Sequence, residues 1–146
     1  TRDDVEQVVG ALRGATIFEL ADAVGRGQPG PALAGLKRLV EQGEPPVRIV
    51  AMLTRHIAIL RKARWLQGHR LSRTELAGWL KVNPFFLSGY LDQAARFDDR
   101  ALWEAYAALL EADDRLKSRS RSPLVTLSRL IYGLCYRSRP EAGVHP

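Results

Sequence analysis

Apolar residues recur at intervals of three and four along nearly the whole chain, the period of helices that each bury one face. "TRDDVEQVVG" opens the chain, with Thr1 three residues before Asp4 as a loose capping signal and Gly10 as its end. "TIFELADAVG" follows, with Ile17, Leu20, Ala21 and Val24 on one face and Gly25 as a C-terminal stop. "GRGQPGP" is a loop by composition. The next helix, "PALAGLKRLVEQG", offers Leu33, Leu36 and Val40 and stops at Gly43.

A long helix is expected from Pro45 and Pro46 to Gly68, with Val50, Leu53, Ile57 and Leu60 inward and Arg48, Arg55 and Lys62 facing water. Ser72 and Glu75 form a capping box for a short helix through Lys81. Asn83 and Pro84 open a further helix that runs to about Arg96. Asp98 or Asp99 begins a second long helix, whose apolar side is Leu102, Tyr106, Leu109 and Leu116. Ser122 and Pro123 start the last one, with Leu124, Leu127, Ile131 and Leu134 in line. This pattern makes about seven helices and no strand. Without a repeat period, the expected fold is all-α, an irregular helical bundle.

Composition narrows the class. A chain of 146 residues with 46% hydrophobic content suits one domain with a real core. No apolar run is long enough to cross a membrane, and no apolar leader stands at the N-terminus. A cytoplasmic protein is expected, and the start at Thr1 suggests a piece of a longer one. The lone Cys135 excludes an internal disulfide and reads as a small core residue. The net charge of +6 favours anionic partners, without bearing on fold.

Catalytic chemistry finds little support. "GRGQPGP" lacks the lysine, hydroxyl and preceding strand of a phosphate-binding loop. His56, His69 and His145 have no ligand partners at metal spacing and read as solvated or capping side chains. No nucleophile–base arrangement is suggested locally, although such partners meet in space and not in sequence. No cofactor or metal is expected.

Asp113 falls on or near the apolar face, four residues before Lys117. Two readings stand open: a surface ion pair of little weight, or a partly buried pair that fixes how two helices meet. Arg115, Lys117, Arg119 and Arg121 then crowd into "RLKSRSRS", either a solvated loop or a phosphate-facing patch. The two short helices around "VNPFF" resemble a helix-turn-helix, yet the second carries no Arg or Lys before Arg96. Leu87, Tyr90, Leu91 and Ala94 make an ordinary core stripe, which Phe86 is expected to join together with Leu76, Trp79 and Leu80. Phe85 is left outside, where an aromatic ring can stack on an unpaired base. Packing is the expected role for both phenylalanines.

Five features in order then carry a resemblance over residues 14–137: Phe18-x-Leu20-x-x-Ala23, the short "GRGQPG" gap before Ala32 and Leu33, "LVEQGEPPVRIVAML", "VNPFF", and "EADDRLKS" followed by "GLC". The chain resembles the C-terminal region of the delta subunits of bacterial DNA polymerase III clamp loaders. The resemblance implies an all-helical collar domain over 13–138, preceded in 1–12 by the last helix of a connector domain. The segment 139–146 is expected to be a disordered tail, and the part after Arg137 is left unassigned.

The collar would pack beside equivalent domains of gamma/tau and delta prime in a heteropentamer. The sliding clamp would be reached only through an N-terminal module that this chain lacks. The piece has no catalytic constellation of its own. Its parent assembly would be a component of the DNA polymerase III holoenzyme, a nucleotidyltransferase that acts during DNA replication. The residues expected to meet neighbouring subunits are Tyr106, Asp113, Arg115 and Lys117, toward the last two long helices. The alternative is a helical module that binds single-stranded or primer–template DNA through a basic face with Phe85, Phe86, Arg119 and Arg121.

Overall fold

The structure, a computed structural model, describes residues 2, 4, 17–118 and 122–138. All regular structure among these residues is helical. Helix α1 covers 17–25, α2 Pro29–Glu41, α3 Pro46–Leu66 and α4 Arg73–Leu80. A single 3-10 turn, Pro84–Phe86, leads into α5, Leu87–Ala94; α6, Asp99–Lys117, and α7, Pro123–Arg137, complete the bundle. The all-α reading holds. Most of 1–12, the loop residues Arg119 to Arg121 and the segment 139–146 lie outside the described residues.

Local chemistry accounts for the helix ends. Proline stands at the first positions of α2, α3 and α7, where a missing N–H costs nothing. The Ser72 hydroxyl accepts from the Glu75 N–H at 3.2 Å while the Glu75 carboxylate accepts from the Ser72 N–H, closing the expected capping box. Asp98 caps α6 by accepting from the Ala101 N–H at 2.7 Å. Gly43 ends α2 at a φ of +81°, a conformation that favours glycine. Asn83 caps only the 3-10 turn, and α5 is shorter than expected. The chain leaves the helix after Ala94 so that Phe97 can enter the core, where it is fully buried.

Helix α3 lies at the centre and packs on α4, α5, α6 and α7. Its expected stripe, Val50, Leu53, Ile57 and Leu60, is buried throughout. Two other stripes are rotated from expectation. In α2 the inward residues are Ala32, Leu36 and Leu39, while Val40 is exposed. In α7 Leu127, Ile131 and Leu134 are buried, whereas Leu124 stays outside.

One polar chain crosses the interior. His56 is neither solvated nor capping: it is buried, and its Nε2 lies 2.6 Å from Gln93 Oε1. Gln93 Nε2 donates to Asp22 Oδ1 at 2.7 Å, so its oxygen is left to accept from the imidazole N–H. Asp22 also pairs with Arg26 at 3.1 Å. The chain ties α1, α3 and α5 together, and it explains Gly25. A Cβ there would stand 1.8 Å from the Gln93 oxygen. Burial of His56 lowers its pKa, outweighing the opposing hydrogen bond to Gln93 and the charge of Asp22.

Two outcomes follow. Leu127→Ala is expected to cost about 2–5 kcal/mol, read from the urea midpoint, because the fully buried side chain leaves a cavity. The unfolded chain takes a proton at His56 near its ordinary value of about 6.5, the folded chain only below it. Stability is therefore complete above that value and falls as pH drops through the window beneath it. His56→Gln is expected to flatten the fall in urea midpoint measured between pH 7 and pH 5.

Candidate functional site

Helix α6 carries two stripes at alternating three- and four-residue spacing. Leu102, Ala105, Leu109 and Ala112 form the inner one and are buried where α6 packs on α3 and α7. One position round the helix, Trp103, Tyr106, Leu110, Asp113 and Lys117 form the outer one. Trp103 is 75% exposed and Leu110 is 73% exposed, two large apolar side chains on one face of the helix. The spacing is that of a seam which receives a second helix. Tyr106 is half-buried, with the Arg61 guanidinium 5.9 Å from its ring centre.

The polar end of the outer stripe is an ion pair. Lys117 Nζ donates to Asp113 Oδ2 at 2.8 Å, and the lysine is in water while the carboxylate is half-covered. That hydrogen bond and the carboxylate's charge raise the pKa of Lys117. Arg115 sits off the stripe, holding Glu111 at 2.6 Å beside a groove between α6 and α7 that Arg129 and Arg137 also line. Three of the four residues expected to meet a neighbouring subunit thus share one face.

The aromatic pair of "VNPFF" is arranged otherwise than expected. Phe85, for which packing was the expected role, is 83% exposed. Phe86 does not join the core stripe: it too is exposed, and its ring lies 5.1 Å from those of Phe18 and Phe85. The 3-10 turn holds both rings off the α5 face that Leu87 and Ala94 bury. Leu76 and Leu80 are in the core, but Trp79 is exposed, its ring 6.0 Å from Lys62 Nζ. Arg119 and Arg121 lie outside the described residues.

A groove between α3 and α6 escaped the reading of the sequence. Arg61, Lys62 and Trp65 form one side, Trp103 and Tyr106 the other. All three tryptophans of the chain are more than half exposed. A second pass at the helical period would have found the outer stripe, since Trp103 and Leu110 are seven apart. Nothing local marks Trp65 as its neighbour.

Among the described residues, no three His, Cys, Asp or Glu converge on a metal-sized space. Cys135 is buried in α7 and its pKa is pushed up to about 11, so it is not a thiolate nucleophile. No described helix is long and apolar enough to cross a membrane.

The family model described as DNA polymerase III delta subunit, C-terminal domain, matches residues 14–134. DNA polymerase III subunit delta of Bacillus subtilis (strain 168) is 24% identical over 138 residues, covering 94% of this chain and 40% of that protein. The solved structure of the Bacillus subtilis DNA clamp loader delta protein shares the fold, with a TM-score of 0.73 at 24% identity over 92% of this chain. The chain spans about 40% of the length of each.

Exposed apolar residues that no neighbour covers contribute little to the stability of the isolated chain. Phe85→Ser and Leu110→Ser are each expected to shift the unfolding free energy by less than about 0.5 kcal/mol, measured by urea titration.

Proposed function

Since the chain belongs to the family of C-terminal domains of DNA polymerase III delta subunits, we propose that it is the collar module that holds delta in a heteropentameric clamp loader. Its neighbours are gamma/tau and delta prime, and the assembly loads the sliding clamp on primed DNA in the cytoplasm. The module works as a joint. ATP hydrolysis and clamp gripping fall to other parts of the assembly.

The outer stripe of α6 is the observation that carries this reading. A large exposed apolar surface on a helix has a free-energy cost in water that a partner removes. Stable contacts between subunits commonly bury about 2,000 Å² or more in total. Trp103, Tyr106 and Leu110 supply the apolar centre of such a contact, and the Asp113–Lys117 pair sets the register at its end. Arg115, beside the α6–α7 groove, would extend it toward α7, where Tyr132 and Tyr136 are also exposed.

Phe85 favours a second reading, contact with unpaired DNA, because a ring open to solvent on a chain of net charge +6 suits base stacking. Titration of labelled single strand and duplex at two salt concentrations separates the two. Micromolar, steeply salt-dependent binding lost in Phe85→Ala supports a DNA contact.

For the collar reading, Leu110→Glu and Arg115→Glu are expected to leave the far-UV circular dichroism unchanged. Leu110→Glu should weaken association with the cognate clamp-loader subunits by about tenfold or more, judged by gel filtration of the mixture. Assembly that survives both changes contradicts the reading.

A further inference from the structure

The groove at the start of the α6 stripe has a chemistry of its own. Arg64 is paired with Asp99 at 2.9 Å. Arg61 and Lys62 have no carboxylate partner among the described residues and rest against the rings of Tyr106 and Trp79. Two unpaired cations therefore stand beside two exposed indoles, Trp65 and Trp103. Tryptophan, tyrosine and arginine are the residues that most often dominate protein–protein contacts. Trp65 has His69 at 4.7 Å, and Tyr106 and Trp79 each have a cation within about 6 Å, so one contact of each of these three rings is already made.

We propose that the element docking on α6 is an acidic amphipathic helix of a neighbouring subunit, which seats an apolar side chain between Trp65 and Trp103 and sets carboxylates against Arg61 and Lys62. The three-and-four spacing of the α6 stripe calls for a helix, and the free cations at one end call for acid at the matching end. This inference rests on the reading of α6 as the subunit-facing helix.

The test measures association of the full chain, fluorescently labelled, with the purified cognate clamp-loader subunits at about 50 and 500 mM salt. Arg61→Glu combined with Lys62→Glu is expected to weaken association at least tenfold at low salt, and the gap should shrink at high salt. Trp103→Ala should weaken it at both. The milder Arg61→Gln with Lys62→Gln, checked by circular dichroism, guards against loss of fold. If Leu110→Glu leaves association intact, the subunit-facing reading falls and the acidic helix with it. If Leu110→Glu abolishes association while charge reversal and salt change nothing, the acidic helix alone is overturned. Loss of binding to a labelled oligothymidylate in the double reversal, with subunit association unchanged, would assign the groove to nucleic acid and also overturn it.

Discussion

The packing of α6 on α3 and α7 is the contact on which the rest of the molecule depends. Ala105 and Ala112 let the backbones approach, while Leu102 and Leu109 fill the space between. A helix turns about 100° per residue, so burying that stripe forces Trp103, Tyr106 and Leu110 outward. The same contact that closes the core thus produces the apolar face the core cannot cover. A domain that meets neighbours has to be amphipathic twice, once for itself and once for them.

Interior polar groups in this fold serve alignment. His56, Gln93 and Asp22 hydrogen-bond in series across three helices, and burial lowers the pKa of the imidazole. Such a chain sets the position of α1 and α5 against α3, because displacing any member strands a buried donor or acceptor. Gly25 belongs to it by having no side chain to intrude.

The cations divide by role. Arg26, Arg38, Arg48, Arg64, Arg100 and Arg115 are tied to carboxylates, so much of the positive charge is already neutralised locally. Arg61 and Lys62 stand apart beside the aromatic groove. The net charge of +6 is thus a poor guide to partners, and its distribution over the surface is a better one.

The caps at Ser72 and Asp98 and the inward line of α3 were legible in the sequence, because each rests on contacts within a few residues: Ser72 with Glu75, Asp98 with Ala101. The expected inward line of α6 held at Leu102 and Leu109, whereas Ala105 and Ala112 complete it and Tyr106 and Leu116 are only partly buried. The ordered motifs likewise carried the family, which the match over 14–134 bears out. Tertiary structure alone decided the environment of His56, whose partner lies 37 residues away, and of Gln93, whose second partner lies 71 away. It decided too that Phe86 turns to Phe18 and that Trp65 and Trp103 line one groove. Periodicity says that a helix has an apolar face. Which of two such faces goes inward depends on neighbours far along the chain, and those are known only once the helices pack.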